Sequence, residues 1–593
     1  MKKLLIHANN TPLNAEKLFP LAEQFVFEVD LDKDVDHYIH EILAEKGKLT
    51  ELITASDILY IKVALSANYL EYFGLRLIYH IRLSPVLKEK AKIPICLIAE
   101  ETVQFIGATA IDPLILFTQG IYHIKDSLKG YQQSEEWIRQ GIIRPLIDPA
   151  LFLSKINLTA PASYRSHHSI TNEWSILRWA EVLGISGQPD FQNVKTNIEK
   201  LLYYKFLTQK FPIKQVHQPK LEQIKGKGKV LYIDDEWEKG WNIIFNKMFT
   251  GTGISFQTLK KNFKDCKRTE IVEMCITEVK NLDPDLVILD LRLSDLDFEG
   301  LKCSEMTGCE ILKKIKKINP GIQVVIFTAS NKVWNYSELQ VEGADHFILK
   351  ESPELSIDEK YSADTLEQLI KTINQSLEMS FLKNVHNKMR NITQLDTGLI
   401  GDEKKEFEAR LRLNFETSFQ MLKQTGDFKK YFNHAYLQLF QVIEDFAKLA
   451  SISNGTDNFY VGVDNDEVLV LKDKVHSAIR FTNGKYDPTH NNQAANHFNT
   501  NFIVSAIIIF RLGQPNSSYS NWTQVYRIRN ERAAHFNEAD KVDIDEIEMV
   551  LHFIYTFIDV KLKKSDNLLK GLKEDSIEDK IAQLKQNFQQ RNA

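Results

Sequence analysis

The sequence predicts a multidomain chain in which α/β doubly wound parallel sheets precede an all-α C-terminal domain. The first observation is that short apolar, β-rich runs alternate with helical patterns between Gly226 and Pro353. Such alternation is typical of parallel βαβ units, and strands that are apolar throughout belong to sheets covered on both faces. The second observation is a weaker repeat of the same order over residues 1–130. The third is helical periodicity, which dominates from residue 396 to about residue 565.

Each apolar run of the central stretch is followed directly by a polar residue. In parallel sheets of this kind the ligand site lies beyond the carboxyl ends of the strands. The runs are Lys229–Ile233, Asp285–Leu289, Gln323–Phe327 and Asp345–Leu349. The residues that they deliver to this edge are Asp234, Asp235, Asp290, Thr328 and Lys350.

Three of these residues are carboxylates, which repel one another unless a cation lies among them. Hard oxygen ligands with open coordination positions suit Mg²⁺, which keeps several waters and takes phosphate oxygens. A carboxylate is also a nucleophile toward phosphorus and forms an aspartyl phosphate. The Thr328 hydroxyl and the Lys350 ammonium would then hold the phosphoryl oxygens.

This residue set resembles the receiver domain of two-component response regulators, which has a flavodoxin-like fold. The resemblance implies that Asp290 accepts a phosphoryl group from a histidine kinase or another phosphodonor. The implied Mg²⁺ ligands are Asp235, Asp290 and the carbonyl of Arg292. Asp234 assists them, and Phe347 occupies the position of the family's aromatic switch residue. The alternative is a receiver fold that serves only for packing.

The sequence departs from the receiver pattern in two places. The family usually has a proline directly after the lysine, whereas here Glu351 and Ser352 precede Pro353. The loop after Asp290 is also longer, by the segment Asp295–Glu305, before the next helix begins. This insert overhangs the predicted phosphorylation site, and one hypothesis is that it gates kinase access.

Length and composition are those of an ordinary globular protein with several domains. The chain has 593 residues, of which 43% are hydrophobic and 26% charged. The net charge of −5 excludes a global attraction to nucleic acid or anionic membranes, so any RNA site must be local. Five cysteines without CxxC spacing argue against a disulfide framework. No stretch reaches membrane-spanning length, and a cytoplasmic location is expected.

The N-terminal stretch is similar to the receiver in degraded form. Aligning the apolar runs puts Ala8 and Asn9 in place of the acidic pair, and Lys62 in place of the phosphoacceptor. Ala99 replaces the threonine, and Lys125 is the one functional residue retained. An ammonium group at the acceptor position cannot be phosphorylated in this way and repels Mg²⁺. The stretch is therefore interpreted as a pseudo-receiver used for contacts, the alternative being a chance similarity between α/β domains.

The expected organisation has five parts. Periodic apolar residues after the receiver predict one long helix, which carries the signal, forms a dimer contact or packs on the surface. The parts are a pseudo-receiver over 1–130, a helical connector and linker over 131–225, the receiver over 226–355, the long helix over 356–395, and a helical effector domain with a charged tail over 396–593.

A second motif lies near the C-terminus. Arg529, directly followed by Asn530 and six positions later by His535, is similar to the signature of HEPN domains. The resemblance implies a helical bundle that is often a metal-independent ribonuclease, with two motifs facing each other across a homodimer. The segment is equally an ordinary exposed helix turn, and the domain then serves for dimerisation or RNA binding without catalysis.

The chemistry of this motif is coherent with RNA cleavage. Histidine shuttles protons near neutral pH, and arginine presents a charged planar fork to phosphate. In an undisturbed α-helix, however, residues six apart point about 240° around the axis. Arg529 and His535 therefore work together only if Arg529 lies at a helix end or a second subunit completes the site.

The leading hypothesis is a phosphorylation-controlled response regulator whose effector cleaves RNA. The alternative is a non-enzymatic adaptor in which the receiver controls assembly and the helical domain only binds a partner. A DNA-binding regulator is the weakest reading, because no helix-turn-helix with a basic recognition helix follows the receiver.

Overall fold

The structure is a computed structural model, and it shows two compact units. One comprises Met1–Asn281, Ile288–Glu310 and Val325–Asn374, and the other comprises Leu282–Val287, Ile311–Val324 and Gln375–Ala593. The residues that the structure describes are 1–9, 22–28, 34–66, 69–160, 164–211, 221–298, 302–329, 339–352, 359–399, 401–424, 431–453, 458–463, 466–471, 480–482, 485–487, 500, 504, 515–534 and 541–559.

The N-terminal stretch folds into a five-stranded parallel sheet. Its strand order is β2-β1-β3-β4-β5, the doubly wound pattern, and the two central strands β3 and β4 are buried throughout. The elements are β1 (Lys3–His7), β2 (Glu23–Val26), α1 (Val35–Ile42), α2 (Lys48–Ala55), β3 (Ile58–Lys62), α3 (Phe73–Arg82), β4 (Ile95–Ala99), α4 (Val103–Thr109), β5 (Ile121–Lys125) and α5 (Leu128–Arg139).

Between this sheet and the next, the described residues form four α-helices. They are α6 (Pro149–Lys155), α7 (Tyr164–Val182), α8 (Gln192–Lys200) and α9 (Leu202–Lys210). In α7, residues 171–180 are buried without interruption, which is the pattern of a helix covered on all sides.

The central stretch forms a second five-stranded sheet of the same topology, with strand order β10-β9-β8-β6-β7. Both sheets confirm the predicted α/β doubly wound class, because apolar strands separated by helices bury both faces of a parallel sheet. The elements are β6 (Lys227–Ile233), α10 (Trp241–Phe249), β7 (Gly253–Thr258), α11 (Arg268–Leu282), β8 (Leu286–Leu289), α12 (Thr307–Ile318), β9 (Gln323–Thr328), β10 (His346–Leu349) and α13 (Glu359–Glu378).

The predicted single long helix is in fact two helices, α13 and α14 (Phe381–Thr393). Helix α14 starts against the turn before β9, where a side chain on Gly321 would lie 2.4 Å from the Leu382 carbonyl. The Asn319 side chain donates to the Lys383 carbonyl at 3.1 Å and so holds this close approach. Periodicity alone does not reveal the break, since both helices keep their apolar spacing.

The C-terminal stretch is mainly helical, as predicted. Its core combines aliphatic and aromatic side chains, and the fully buried Trp522 stacks on Phe440 and Phe553. The strands β12 and β13 form an antiparallel pair. The elements are α15 (Gly401–Leu422), α16 (Phe432–Ala450), β11 (Ser451–Ser453), β12 (Asn458–Val463), β13 (Asp466–Leu471), β14 (Arg480–Thr482), β15 (Lys485–Asp487), α17 (Pro515–Ile528) and α18 (Ile544–Ile558).

Among the described helices, none combines the length and the apolar character needed to cross a membrane. The predicted charged tail beyond residue 559 lies outside the described residues.

Candidate functional site

The carboxyl edge of the second sheet brings the five predicted residues together. Asp234 and Asp235 follow β6, Asp290 follows β8, Thr328 ends β9 and Lys350 follows β10. All except Asp235, which is half-buried, have no exposed surface. The edge is therefore a polar cluster enclosed by apolar strands.

Lys350 bridges two of the carboxylates. Its Nζ donates to Asp234 Oδ2 at 2.7 Å and to Asp290 Oδ2 at 2.9 Å. The aromatic rings of Phe327 and Trp241 flank the ammonium, with ring centres 5.2 and 5.4 Å from Nζ. A buried ammonium needs such partners, because moving an ion out of water costs several kcal/mol.

The charges of this bridge shift each other's proton affinity. Burial alone lowers the pKa of Lys350, but the carboxylates of Asp234 and Asp290 outweigh it and raise that pKa. Burial alone raises the pKa of Asp234, but Lys350 and the Tyr232 hydroxyl, which donates at 2.7 Å, lower it below its usual value. Lys350 and Asp234 thus stabilise each other's charged form.

Asp235 has the opposite electrostatic environment. Burial and the neighbouring charges of Asp234, Glu236 and Asp290 raise its pKa well above the usual value. Its Oδ1 atom is buried and has no hydrogen-bond partner within the described part of the chain. Carboxylate oxygens of Asp234, Asp235 and Asp290 lie within 4.8 Å of one another. A hard divalent cation fits this donor set of carboxylate oxygens. It would place a positive charge beside Asp235, whose carboxylate is surrounded mainly by negative charges.

The remaining predicted residues lie around this cluster. The buried Thr328 accepts the Lys350 amide proton through its carbonyl at 2.7 Å, which fixes the lysine beside the threonine. Phe347 is half-buried on β10. Arg292 is buried two residues after Asp290, and its guanidinium lies 5.6 Å from the centre of the Phe298 ring.

A glycine approaches the end of the acceptor strand in both sheets. A side chain on Gly308 would lie 2.3 Å from the Asp290 carbonyl oxygen, and one on Gly74 would lie 2.2 Å from the Lys62 carbonyl oxygen. Only glycine allows the following helix to begin so close to the strand. The two contacts establish that Lys62 occupies the position of Asp290, as predicted.

The strand register corrects the predicted equivalent of the site lysine. In the second sheet Thr328 pairs with Leu349, the residue just before the lysine. In the first sheet Ala99 pairs with Lys125, so the lysine position falls on Asp126. Lys125 itself is exposed and is not the retained functional residue that the alignment predicted. The sequence alignment missed this because it matched lysine to lysine, and a shift of one residue moves every side chain of a strand to the opposite face of the sheet.

The same correction applies to the acidic pair. In the second sheet Asp290 lies opposite the first aspartate of the pair, since its amide donates at 2.9 Å to the strand residue just before the pair. The register of β1 and β3 places Lys62 opposite His7. The acidic pair is therefore replaced by His7 and Ala8, rather than by Ala8 and Asn9 as predicted.

The first sheet thus carries the bridge of the second with its charges exchanged. Lys62 Nζ lies 2.9 Å from Asp126 Oδ2, and both side chains are buried. The Tyr131 hydroxyl donates to the other carboxylate oxygen at 2.9 Å. The ion pair fills the place where the second sheet has its acceptor carboxylate and lysine.

We expect Asp126→Asn to destabilise the protein by about 3–5 kcal/mol, because it removes the counter-charge of a buried ammonium. Urea unfolding of the full chain, followed by circular dichroism, measures the change. The exposed Glu45→Gln in the same domain is the matched control, with an expected change within about 0.5 kcal/mol. Equal stabilities of the two variants would show that the Lys62–Asp126 pair does not stabilise this domain.

Comparisons with known proteins agree with this geometry. The family described as Inactive Receiver domain matches residues 16–124, and the family described as Response regulator receiver domain matches residues 252–362. The chain is 31% identical over 120 residues to the sporulation initiation phosphotransferase F of Bacillus subtilis (strain 168), a match that covers 20% of this chain and 79% of that protein. The chain belongs to the response-regulator receiver family. Its first sheet is an inactive receiver and its second sheet is a receiver.

Two solved structures are similar to parts of this chain. The receiver domain protein (CheY-like) from Methanospirillum hungatei JF-1 is 19% identical, covering 25% of this chain and 96% of that chain, with a TM-score of 0.18. NtrX from Brucella abortus in complex with ADP is 19% identical, covering 32% of this chain and 34% of that chain, with a TM-score of 0.20. The chain thus spans about a third of the length of that NtrX structure.

The sequence reasoning missed the role of Glu351, which stands where the receiver family usually has proline. Glu351 is fully buried, and its carboxylate accepts hydrogen bonds from Trp179 Nε1 at 3.1 Å and from the Ser362 hydroxyl at 2.6 Å. Arg178 Nε lies 3.5 Å from the same carboxylate, and the Ser175 hydroxyl donates to the Glu351 carbonyl. Connector helix α7 is therefore attached to the residue next to the site lysine. The missing proline was the sequence signal for this contact.

The C-terminal motif lies at the end of α17. The segment Arg529–Ala533 forms a π-helical turn that continues α17 without a break. Arg529 therefore lies at the junction of the α-helix and the π-helical turn, and not at a helix end. Its guanidinium donates to Asn530 Oδ1 at 2.9 Å and lies 5.5 Å from the centre of the Phe440 ring. His535, the third predicted residue of the motif, lies outside the described residues.

Proposed function

We propose that the chain is a phosphorylation-controlled response regulator whose receiver is phosphorylated on Asp290 in the presence of Mg²⁺. The observation that carries this proposal is the buried cluster in which Lys350 bridges Asp234 and Asp290, while Asp235 Oδ1 has no hydrogen-bond partner among the described residues. A structural ion pair would need only one carboxylate, whereas three converging carboxylates call for a further cation.

The receiver residues have distinct roles in this proposal. The Asp290 carboxylate attacks the phosphorus of the donor, so that a P–O bond forms while the bond to the leaving group breaks. Asp234, Asp235, Asp290 and the Arg292 carbonyl would hold Mg²⁺, which supplies positive charge for the phosphoryl oxygens when it is bound. Lys350 and the Thr328 hydroxyl then bind the phosphoryl group, and Phe347 follows the threonine inward.

The phosphodonor is a histidine kinase or a small acyl phosphate. The inactive receiver takes no part in this chemistry, because its acceptor position holds Lys62, paired with Asp126. It accordingly binds no Mg²⁺ at the equivalent edge.

We further propose that the helical effector cleaves RNA by a metal-independent mechanism. In support, the Arg529 guanidinium donates a hydrogen bond to Asn530 at the start of a π-helical turn, and π-helical turns are frequent at functional sites. His535 would act as the general acid or base, and Arg529 would stabilise the charge on the phosphorane. The site is completed in a homodimer, in which each motif faces its counterpart across the two-fold axis.

A non-enzymatic adaptor is the second candidate, and a specific observation favours it. The Arg529 guanidinium lies over Phe440, and Arg532 is held by Glu546 and by the Lys541 carbonyl. These contacts tie the basic residues into the fold of the helical domain. In that case the domain serves dimerisation or partner binding only.

One experiment separates the two candidates. RNA is incubated with the wild-type protein and with His535→Ala, each with and without an acyl-phosphate donor and Mg²⁺. Cleavage by the wild type that His535→Ala lacks supports the nuclease, and its dependence on the donor supports control by the receiver. If the wild type does not cleave RNA, the nuclease proposal fails and the non-enzymatic adaptor remains as the candidate function.

A further inference from the structure

The loop insert of the receiver is built around one buried carboxylate. Asp297 has an exposed fraction of 1%, although it lies in the segment that the sequence predicts to overhang the site. Its Oδ2 atom accepts the amide protons of Leu293 and Ser294, both at 3.0 Å. Its Oδ1 atom accepts the amide proton of Thr307 at 2.9 Å and the Thr307 hydroxyl at 3.0 Å.

These four hydrogen bonds join three parts of the site. Leu293 and Ser294 belong to the short loop that follows the acceptor Asp290, and Thr307 is the first residue of α12. A carboxylate at a helix N-terminus is stabilised by the unpaired amides and by the helix dipole. Asp297 therefore holds the acceptor loop and the helix start in a fixed relation.

The insert also holds the side chain of Arg292. The guanidinium lies 5.6 Å from the centre of the Phe298 ring, and Phe298 directly follows Asp297. Arg292 is thus held at two places. Its side chain lies over the Phe298 ring, and the amide of the next residue, Leu293, is hydrogen-bonded to Asp297. This is the residue whose carbonyl is the proposed backbone ligand of Mg²⁺.

The inactive receiver provides a comparison within the same chain. There the loop between the acceptor position Lys62 and Gly74 is shorter and has no counterpart of the insert. In this loop the Ser66 hydroxyl donates to the exposed Glu71 carboxylate at 2.6 Å. The receiver that keeps the acidic cluster therefore has the buried brace, whereas the described residues of the corresponding loop in the inactive receiver show none.

We propose that Asp297 is a positioning residue of the phosphorylation site, which fixes the acceptor loop so that the Arg292 carbonyl is presented to Mg²⁺. This inference rests on the proposed function of the receiver. It assigns the insert a role in building the metal site, rather than the gating role suggested by the sequence.

The expected effect is a loss of Mg²⁺ affinity. Asp297→Asn keeps the size of the side chain but turns one acceptor oxygen into a donor, which then faces amide protons. Residues that orient metal ligands typically contribute about 10–100-fold to metal affinity. We therefore expect Asp297→Asn to weaken Mg²⁺ binding by about 10–100-fold.

Titration of the full chain with MgCl₂, followed by tryptophan fluorescence, measures this affinity. Trp241 lies 5.4 Å from Lys350 Nζ and so reports on the cluster. Asp295→Asn is the matched control, because Asp295 is an exposed aspartate of the same insert, and it should bind Mg²⁺ like the wild type. Phosphorylation by acetyl phosphate is measured at rising Mg²⁺, and saturating Mg²⁺ should restore it in Asp297→Asn.

A purely structural role gives a different result. In that case Asp297→Asn would have a lower melting temperature than the wild type in the absence of Mg²⁺, but the folded variant would bind Mg²⁺ with unchanged affinity. This result would overturn the proposal. If Asp297→Asn does not fold, Thr307→Val serves as the second variant, because it removes only the hydrogen bond from the Thr307 hydroxyl to Asp297. Thr307→Val should still weaken Mg²⁺ binding several-fold. An unchanged Mg²⁺ affinity of Thr307→Val would also overturn the proposal. A wild-type protein that neither binds Mg²⁺ nor takes up label refutes the proposed function itself.

Discussion

Replacing Asp290 by Asn is expected to abolish phosphorylation of the full chain by acetyl phosphate in Mg²⁺. The amide is not a nucleophile toward phosphorus, and of the two carboxylates bonded to Lys350, only that of Asp290 has the proposed acceptor role. Incubation with ³²P-labelled acetyl phosphate, followed by gel electrophoresis under acidic conditions and by mass spectrometry, measures the incorporation of the phosphoryl group. The wild type should take up one phosphoryl group, and chelation of Mg²⁺ with EDTA should remove the uptake.

The matched control is Asp283→Asn, an exposed aspartate on the loop before β8 that should be labelled like the wild type. Label on Asp290→Asn, or none on the wild type in Mg²⁺, would rule out Asp290 as the acceptor. Label mapped to residues 1–130 would instead contradict the inactive state of the first receiver, whose acceptor position is lysine.

His535→Ala is expected to lower RNA cleavage by about 10²–10⁴-fold, the usual contribution of a general acid or base. The reason is that cleavage by the RNA's own 2′-hydroxyl needs a proton acceptor and a proton donor that titrate near neutral pH. Single-turnover cleavage of a labelled RNA by the phosphorylated protein measures the rate, and EDTA added after phosphorylation tests whether the cleavage itself needs a metal. His552→Ala, an exposed histidine of the same helical domain, is the matched control.

The oligomeric state decides how this activity is coupled to the receiver. If phosphorylation promotes a symmetric dimer, the mass in solution should rise with the acyl-phosphate donor for the wild type but not for Asp290→Asn. If His535→Ala and the wild type cleave RNA equally, the proposed nuclease mechanism is excluded, and the non-enzymatic adaptor becomes the proposed function. Full cleavage and normal pairing by Asp290→Asn would mean that the receiver does not govern the effector.

The receiver site was predictable because its residues follow from a rule of topology. Apolar runs define parallel strands, and the residue after each run must lie at the carboxyl edge. Asp234, Asp290 and Lys350 needed no further information. The charge-exchanged pair of the first receiver was predicted only in part, because Lys62 is found by the same rule, whereas Asp126 depends on the register of an edge strand.

Other features had no sequence signal of sufficient strength. Asp297 is one aspartate in an acidic loop, and its sequence does not show that four hydrogen-bond donors converge on it. The break between α13 and α14 likewise depends on the close approach of Gly321 to Leu382, two residues far apart in sequence. The first feature depends on the conformation of a loop and the second on a contact between distant segments, and periodic patterns encode neither.

The sequence by itself determined the two doubly wound sheets, the acidic edge of the second and the loss of acceptor chemistry in the first. Burial patterns and strand ends are local properties, so they can be read without coordinates. Only the tertiary structure decided which side chains meet: Lys62 with Asp126, Glu351 with helix α7, and Asp297 with the acceptor loop. The physical reason is that a buried charge is stable only beside its partner, and the partner is chosen by the packing of distant segments.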